Sequence, residues 1–273
     1  MAKARRGADT MLSMSLPLTM ALTIKLLFWT AALLVFVRLA ARQSGELEAG
    51  TRRWSGALLL GALLGSKLVF FLGHPDRVGA RDDAANQLLW WISGNSTIGA
   101  LLGGYLALCL SEGLQRARRL ADALATPVAS ALLILSLGTF FWALRGNGYG
   151  SATNLPTGVD FGDGVARHPV MLYEAVCLGL VIWLQHHRQT FSAWRSGLGH
   201  AFLIGYSLLV LISGFLKPPF GTPLLLEAID PAAYLHAGLL TADQWAGAVA
   251  ALLLHALSLS SARSGKVDSS GAG

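Results

Sequence analysis

The segment whose residues are best suited to chemistry is Arg167-His168-Pro169, which begins an apolar stretch. Proline is favoured at the first position of an α-helix, because its fixed φ suits the helix and its missing N–H would have no partner there. The sequence therefore predicts that a helix begins at Pro169. The unpaired N–H groups and positive dipole end of that helix, with the side chains of Arg167 and His168 alongside, favour an anion such as a lipid phosphate.

A carboxylate follows in the same predicted helix, at Glu174. It lies about one and a half turns into the helix, where an ionised group in a membrane is costly and generally faces the protein interior or a polar cavity. We expect His168, Tyr173 and Glu174 to be catalytic. At about 100° per residue His168 and Glu174 do not share one helix face, and the spacing leaves the direction of Tyr173 open. Two structural alternatives remain, in which His168 caps the helix and Glu174 hydrogen-bonds a neighbouring helix.

A glycine-rich polar loop precedes this helix and is a candidate binding site for an anionic headgroup. Its glycines, Gly150 among them, let backbone N–H groups approach a ligand closely. Arg145 adds a cation, and Asn147 adds an amide donor. A tight turn between two helices explains the same glycines equally well.

Two lysines inside apolar segments are further candidates for binding a phosphate. Lys67 lies among small residues, where an ionisable side chain within a membrane is a functional candidate by default. Lys217 ends another apolar segment, just before Pro218 and Pro219. The alternative is that a lysine lays its aliphatic stem along the bilayer and extends its ammonium group to the headgroups. Both interpretations predict the same position for Lys217.

The elements that must position these side chains are membrane-spanning helices. Of the 273 residues, 53% are hydrophobic and only 13% are charged, and the mean hydropathy is +0.53. A soluble domain carries about twice that charged fraction, which argues against a soluble nucleic-acid-binding protein. The predicted fold class is all-α, a polytopic integral membrane helix bundle, because a chain in lipid must satisfy its own backbone hydrogen bonds and no strand-like alternation is present.

About seven segments approach the roughly 20 apolar residues that a bilayer span requires. Small residues at four-residue spacing within them, as at Gly61 and Gly65, predict close helix contacts. We expect one bundle domain over 18–262, an N-terminal tail over 1–17 and a disordered C-terminal tail over 263–273. The predicted spans are 18–40, 54–73, 96–114, 122–144, 169–186, 198–217 and 240–260.

The distribution of lysine and arginine predicts the orientation of the bundle. Four connections carry 11 of these residues, whereas the three alternate connections carry four. Cytoplasmic loops are the richer in positive charge, so we expect a cytoplasmic C-terminus and an outward N-terminus. The basic residues that follow Met1 oppose this orientation, and translation from Met11 or Met14 would remove them. The richer connections are 38–53, 115–121, 187–197 and the tail after 260.

The cysteines and histidines give no sign of a metal site. Cys109 and Cys177 both lie inside apolar segments and have no supporting pattern for a disulfide or a metal cluster. No pair of histidines combines metal-ligand spacing with nearby carboxylates. We therefore expect neither a metal nor a cofactor.

Residues 168–174, His-Pro-Val-Met-Leu-Tyr-Glu, resemble the His-Pro-x-x-Leu-Tyr-Glu motif of bacterial prolipoprotein diacylglyceryl transferases. The preceding Tyr149-Gly150, the run 155–159 and Phe161 resemble the loop that leads into that motif in the same family. This stretch carries the specific part of the resemblance.

Other segments extend the resemblance over most of residues 54–217. Residues 65–68, Gly-Ser-Lys-Leu, are similar to the pattern in the family's second span, where arginine is the usual cation. Residues 99–103, Gly-Ala-Leu-Leu-Gly, resemble its Gly-Gly-Leu-Ile-Gly segment. Seven spans with an outward N-terminus also agree with the family.

The resemblance implies a transferase that moves the diacylglyceryl group of phosphatidylglycerol to the lipobox cysteine thiol of a prolipoprotein and releases glycerol 1-phosphate. Since the nucleophile belongs to the substrate, the enzyme must help to deprotonate a thiol and stabilise a leaving phosphate. His168 or Glu174 would accept or orient the proton. The implied site is in the bacterial inner membrane, with phosphatidylglycerol or another anionic phospholipid and the prolipoprotein signal peptide as partners. The candidates for binding the lipid are Arg145, Asn147, Gly150, Arg167, Lys67 and Lys217.

Several positions depart from the family pattern. Ile98 stands where the family usually has a histidine, directly before its Gly-Gly-Leu pair. The family's Gly-Arg-x-Gly-Asn-Phe element aligns with residues 135–140, so that Ser136 and Thr139 replace its arginine and asparagine. Lys217 falls near a later arginine, which keeps the charge but loses the bidentate geometry. The alternative function is therefore a non-catalytic or re-purposed homologue that binds or transports phospholipid.

Overall fold

The computed structural model describes residues 18–43, 51–73, 95–143, 150–161, 164–187, 197–217 and 240–255. The predictions for the two tails, for Arg145 and for Asn147 concern residues outside these ranges. The described residues form seven helices and one two-stranded sheet. The elements are α1 (Leu18–Ala41), α2 (Thr51–Gly73), α3 (Thr97–Glu112), α4 (Leu114–Ala143), β1 (Val159–Asp160), β2 (Ala166–Arg167), α5 (Val170–His186), α6 (Leu198–Gly214) and α7 (242–255).

The helices are apolar and expose their leucines, as a surface in contact with lipid requires. Stretches of α1, α2 and α4 are long and apolar enough to cross a bilayer. Leu110 of α3 is 80% exposed, and such exposure costs free energy in water but not against lipid chains. The chain is therefore an all-α integral membrane helix bundle, as predicted. The count of about seven spans stays a prediction, since α3, α5 and α6 have only 16 or 17 residues.

The connection between α3 and α4 is shorter than predicted. We expected a basic loop over 115–121, and this was wrong, because these residues form the first turns of α4 and only Gly113 separates the helices. Gly113 ends α3 at φ 79°, a left-handed conformation that suits glycine, and its N–H donates to the carbonyl of Cys109 at 3.1 Å. Arginine, leucine and alanine are good helix formers, so the cluster of charge does not mark the end of a helix.

The described residues group into two compact units. The first unit contains α1, the part of α4 from Thr126 onward, both strands, α5 and residues 213–217. The second contains α2, α3, the part of α4 before Thr126, α6 up to Ile212 and α7. The prediction of one bundle domain over 18–262 stays a prediction.

Phenylalanines hold the first unit together around the sheet. Phe161 and Met171 are buried, and Phe140, Phe141 and Val159 pack against them. The ring centroids of Phe140 and Phe161 lie 6.0 Å apart in an edge-to-face arrangement, which is favourable for aromatic pairs. This packing attaches α4 and α5 to the loop that carries β1.

Glycines bring α2 and α3 together in the second unit. Gly61 and Gly65 of α2 face Gly99 and Gly103 of α3 so closely that a Cβ on any of the four would overlap the other helix. This close approach is the small-xxx-small packing of membrane helices, as predicted from the spacing of the glycines. A capping box starts α7 in the same unit. The N–H of Thr241 donates to Oε1 of Gln244 at 2.9 Å, and the N–H of Gln244 donates to Oγ1 of Thr241 at 3.3 Å.

Candidate functional site

Three extended segments lead the chain into α5. β1 and β2 pair in antiparallel register, with Val159 opposite Arg167, and Ala152 forms a bridge to the other side of Arg167. The N–H of Gly164 donates to a carboxylate oxygen of Asp160 at 3.0 Å and so closes the turn between the strands. β2 is therefore flanked on both sides, and it continues directly into His168.

The backbone of His168 is fixed on both sides. Its N–H donates to the carbonyl of Ser151 at 3.0 Å, and its carbonyl accepts from the N–H of Gly150 at 3.0 Å. A Cβ at position 150 would meet the carbonyl oxygens of His168 and Leu216 at 2.5 and 2.8 Å. Glycine is thus required at 150 by packing. Because its N–H is already bonded to His168, it is not available to the headgroup that the sequence led us to expect there.

The N–H groups at the start of α5 are also largely occupied. The N–H of Val170 donates to the carbonyl of His168 at 2.9 Å, and those of Leu172 and Tyr173 donate to the carbonyl of Pro169 at 2.9 and 3.4 Å. The helix begins at Val170, one residue later than predicted. An anion at this helix end would therefore depend on the side chains of residues 167 and 168 more than on free N–H groups.

The side chains of His168 and Tyr173 meet at the start of α5. The hydroxyl oxygen of Tyr173 lies 3.4 Å from Nδ1 of His168 and 3.2 Å from Oγ1 of Thr157. The direction of Tyr173, which the spacing left open, is thus toward the imidazole. Among the described residues, Nε2 of His168 makes no hydrogen bond, so one ring nitrogen is held and the other is available to a ligand.

Glu174 forms a separate cluster with the end of α6. Its Oε1 accepts from Oγ of Ser213 at 3.1 Å and from Nζ of Lys217 at 2.6 Å. The side chain of Glu174 is 19% exposed and that of Lys217 is 46% exposed. The bond to Ser213 ties Glu174 to the last residues of α6 within the first unit, which is the structural role that the sequence left open.

The segment after α6 is bonded to the loop before α5 as well. Both the N–H and the hydroxyl of Ser151 donate to the carbonyl of Leu216, at 2.8 and 3.1 Å. Ser151, Thr157 and Ser213 were not among the predicted site residues. The position of Thr157 next to Gly158, in the stretch that resembles the family loop, was the only sequence signal that pointed to any of them.

We expect Glu174→Gln to lower the free energy of unfolding by less than about 1 kcal/mol. Lys217 is nearly half exposed, so solvent screens the ion pair, and glutamine keeps an oxygen that accepts from Ser213. The measurement is a double-mutant cycle with Lys217→Met, read by thermal denaturation in detergent. A coupling free energy above about 3 kcal/mol would contradict this expectation, because that magnitude belongs to fully desolvated pairs.

The other predicted binding residues are dispersed along the chain. Arg167 is half-buried in β2, and Lys67 is half-buried in α2, within the second unit. Arg145 and Asn147 lie outside the described residues. The binding roles of these four residues stay predictions.

A sequence profile of the prolipoprotein diacylglyceryl transferase family matches residues 13–259. The chain belongs to this family. The phosphatidylglycerol–prolipoprotein diacylglyceryl transferase of Geobacter sulfurreducens is 37% identical in an alignment 134 residues long, which covers 46% of this chain and 45% of the relative. The protein of the same name from Cereibacter sphaeroides is 29% identical in an alignment 195 residues long, which covers 61% of this chain and 62% of the relative. For Methylibium petroleiphilum the identity is 29% in an alignment 221 residues long, which covers 75% of this chain and 78% of the relative.

Membership of the prolipoprotein diacylglyceryl transferase family confirms the resemblance deduced from residues 168–174. The first two of these alignments span less than two thirds of the relatives' own lengths. Two of the departures from the family pattern, Ile98 and Thr139, offer no free polar group in the structure. Ile98 is 1% exposed, and the hydroxyl of Thr139 donates to the carbonyl of Leu135 in its own helix at 2.8 Å.

Proposed function

We propose that this protein transfers the diacylglyceryl group of phosphatidylglycerol to the lipobox cysteine of a prolipoprotein. The observation that carries the proposal is the family match over residues 13–259, within which the His-Pro-x-x-Leu-Tyr-Glu motif is intact. The contact between His168 and Tyr173 within that motif supports it. The proposed partners are phosphatidylglycerol or another anionic phospholipid and a prolipoprotein signal peptide with a lipobox cysteine.

The reaction forms a sulfur–carbon bond and breaks the carbon–oxygen bond that joins the diacylglyceryl group to phosphate. The acceptor thiol gives its proton to Nε2 of His168, and the thiolate attacks the glyceryl carbon. Glycerol 1-phosphate then leaves with the electron pair of the broken bond. Removal of the proton by a positioned base contributes about 10²–10⁴-fold to rates of this kind, and the free Nε2 supports His168 in this role.

The leaving phosphate requires positive charge close to the reacting carbon. We assign this role to Arg167 and Arg145, with Asn147 as an amide donor, and a smaller part to Lys217, which pairs with Glu174. Lys67 lies in the second unit, and its binding role is a separate proposal. An arginine beside His168 in the sequence supports this assignment, since guanidinium groups bind phosphate oxygens in pairs.

We place the protein in the bacterial inner membrane as a multi-pass protein with a cytoplasmic C-terminus. The excess of lysine and arginine in alternate connections supports this orientation. In this orientation the start of α5 lies in the outer half of the membrane.

The test is an assay of the purified protein with phosphatidylglycerol that carries a labelled diacylglyceryl group and with a synthetic lipobox peptide. We expect the label to become attached to the peptide and glycerol phosphate to be released in equal amount. A peptide with serine in place of the cysteine is the control and should remain unlabelled. Folded protein that binds phosphatidylglycerol vesicles but labels no peptide would contradict the proposal.

One observation favours a second candidate, a non-catalytic or re-purposed homologue that binds or transports phospholipid. At the position of the family histidine, Ile98 is buried and has no ionisable group. Thr139 directs its hydroxyl to its own helix backbone, so it does not present a polar group as the family's asparagine would. Such a protein would bind phosphatidylglycerol in this assay and release no glycerol phosphate.

A further inference from the structure

The turn Leu155–Gly158 is held tightly against the sheet beside the start of α5. The N–H of Gly158 donates to the carbonyl of Leu155 at 2.9 Å, and the N–H of Leu155 donates to Oγ1 of Thr153 at 3.2 Å. A Cβ at Gly158 would meet side-chain atoms of Thr153 and Ala166 at 3.0 and 3.1 Å. The backbone of Thr157, within this turn, is therefore fixed relative to the sheet.

The hydroxyl of Tyr173 lies between Thr157 and His168 and has only one proton to donate. It is closer to Oγ1 of Thr157, at 3.2 Å, than to Nδ1 of His168, at 3.4 Å. A phenol is more acidic than an aliphatic alcohol, so it is the stronger donor of the two hydroxyls. The arrangement that the shorter distance favours has Tyr173 donating to Thr157, which leaves the phenol oxygen to accept a hydrogen bond from the N–H at Nδ1.

We propose that Thr157 is a positioning residue that selects the tautomer of His168 through Tyr173. With the proton of Tyr173 directed to Thr157, His168 carries its own proton on Nδ1 and leaves Nε2 unprotonated. The partner of one imidazole nitrogen thus determines the state of the other. The consequence for catalysis rests on the proposed function, because Nε2 is the atom that would accept the thiol proton.

Loss of the Thr157 hydroxyl reverses this arrangement. The phenol proton of Tyr173 is then free to turn to Nδ1, and the imidazole proton moves to Nε2, where it blocks proton acceptance. Thr157 is exposed, so a water molecule replaces its hydroxyl for part of the time. We therefore expect Thr157→Val to lower kcat by about 10- to 100-fold, less than the full contribution of a general base, with KM for phosphatidylglycerol unchanged.

The decisive measurement is the nitrogen NMR spectrum of full-length protein labelled with ¹⁵N at its histidines, in detergent micelles. The His168→Asn variant assigns the signals of His168. We expect the wild type to carry the proton on Nδ1 and both Thr157→Val and Tyr173→Phe to shift it toward Nε2. Thr157→Ser keeps the hydroxyl and should retain both the Nδ1-protonated tautomer and the kcat of the wild type.

The pair of Thr157 variants separates hydrogen bonding from packing. Valine keeps the shape of threonine and loses the hydroxyl, whereas serine keeps the hydroxyl and loses the methyl group. A tautomer that stays on Nδ1 in Thr157→Val, or a serine variant as impaired as the valine variant, would overturn the inference. The spectrum needs no turnover, so the tautomer is decided even if the wild type transfers nothing, a result that would overturn the proposed function alone.

Discussion

Replacement of His168 by alanine is expected to lower the kcat of diacylglyceryl transfer by about 10²–10⁴-fold. The imidazole is the group whose free nitrogen, Nε2, lies at the start of α5, and its Nδ1 is held by Tyr173. Alanine keeps the backbone bonds of residue 168 to Ser151 and Gly150, because these use only the N–H and carbonyl groups. The loss should therefore appear in kcat, measured with labelled phosphatidylglycerol and a lipobox peptide.

His186→Ala is the matched control for His168→Ala. His186 lies at the opposite end of the same helix, so its removal tests the general effect of losing a histidine from α5. We expect its kcat to remain within about twofold of the wild type. The removal of a residue that makes no interaction in the transition state leaves kcat unchanged. A His168→Ala variant that is folded and retains full kcat would show that another group accepts the thiol proton.

Substitution of Gly65 by alanine is expected to destabilise the protein by about 1–3 kcal/mol. A Cβ at Gly65 would overlap the carbonyl of Gly99 and lie 2.8 Å from Cα of Gly103. These are backbone atoms of a packed helix, so α2 and α3 would have to separate to relieve the overlap. The free energy of unfolding, measured by circular dichroism in mixed micelles of increasing denaturing detergent, should fall accordingly.

Gly56→Ala provides a control of opposite sign on the same helix. In the part of the chain that the structure describes, no atom beyond the neighbouring residues and the backbone of its own helix lies within 4 Å of a Cβ at Gly56. Alanine favours a helix over glycine by about 0.5–1 kcal/mol. The same substitution should therefore stabilise the protein at position 56 and destabilise it at position 65. Equal effects at the two positions would show that close contact between α2 and α3 does not contribute to stability.

Local and compositional signals determined much of the fold. The low fraction of charged residues predicts a membrane protein, and the apolar runs predict helices close to those found, such as α1 and α2. Proline at 169 marks the start of α5 to within one residue. The glycine spacing predicts a close helix contact at Gly61 and Gly65, because side chains four residues apart share one helix face, and the structure shows α3 as the partner. The motif over 168–174 identified the family.

Signals that depend on context were misleading. The charges over 115–121 predicted a loop, although they lie on the first turns of α4, because charge marks proximity to water and not the end of a helix. Gly150 and the start of α5 were expected to offer N–H groups to an anion. Most of those groups bond nearby carbonyls, a preference that only the path of the chain reveals.

The fold class, the family and the candidates His168, Tyr173 and Glu174 follow from the order of the residues alone. Their partners, which are Thr157 for Tyr173 and Ser213 with Lys217 for Glu174, follow only from the way the chain is folded. Ser213 is 39 residues from Glu174 in the chain, beyond the reach of any helical periodicity. A local sequence pattern determines which residues share a helix face. The residue that lies opposite that face depends on how the helices rotate and pack. That packing is determined by many weak contacts distributed over the whole chain.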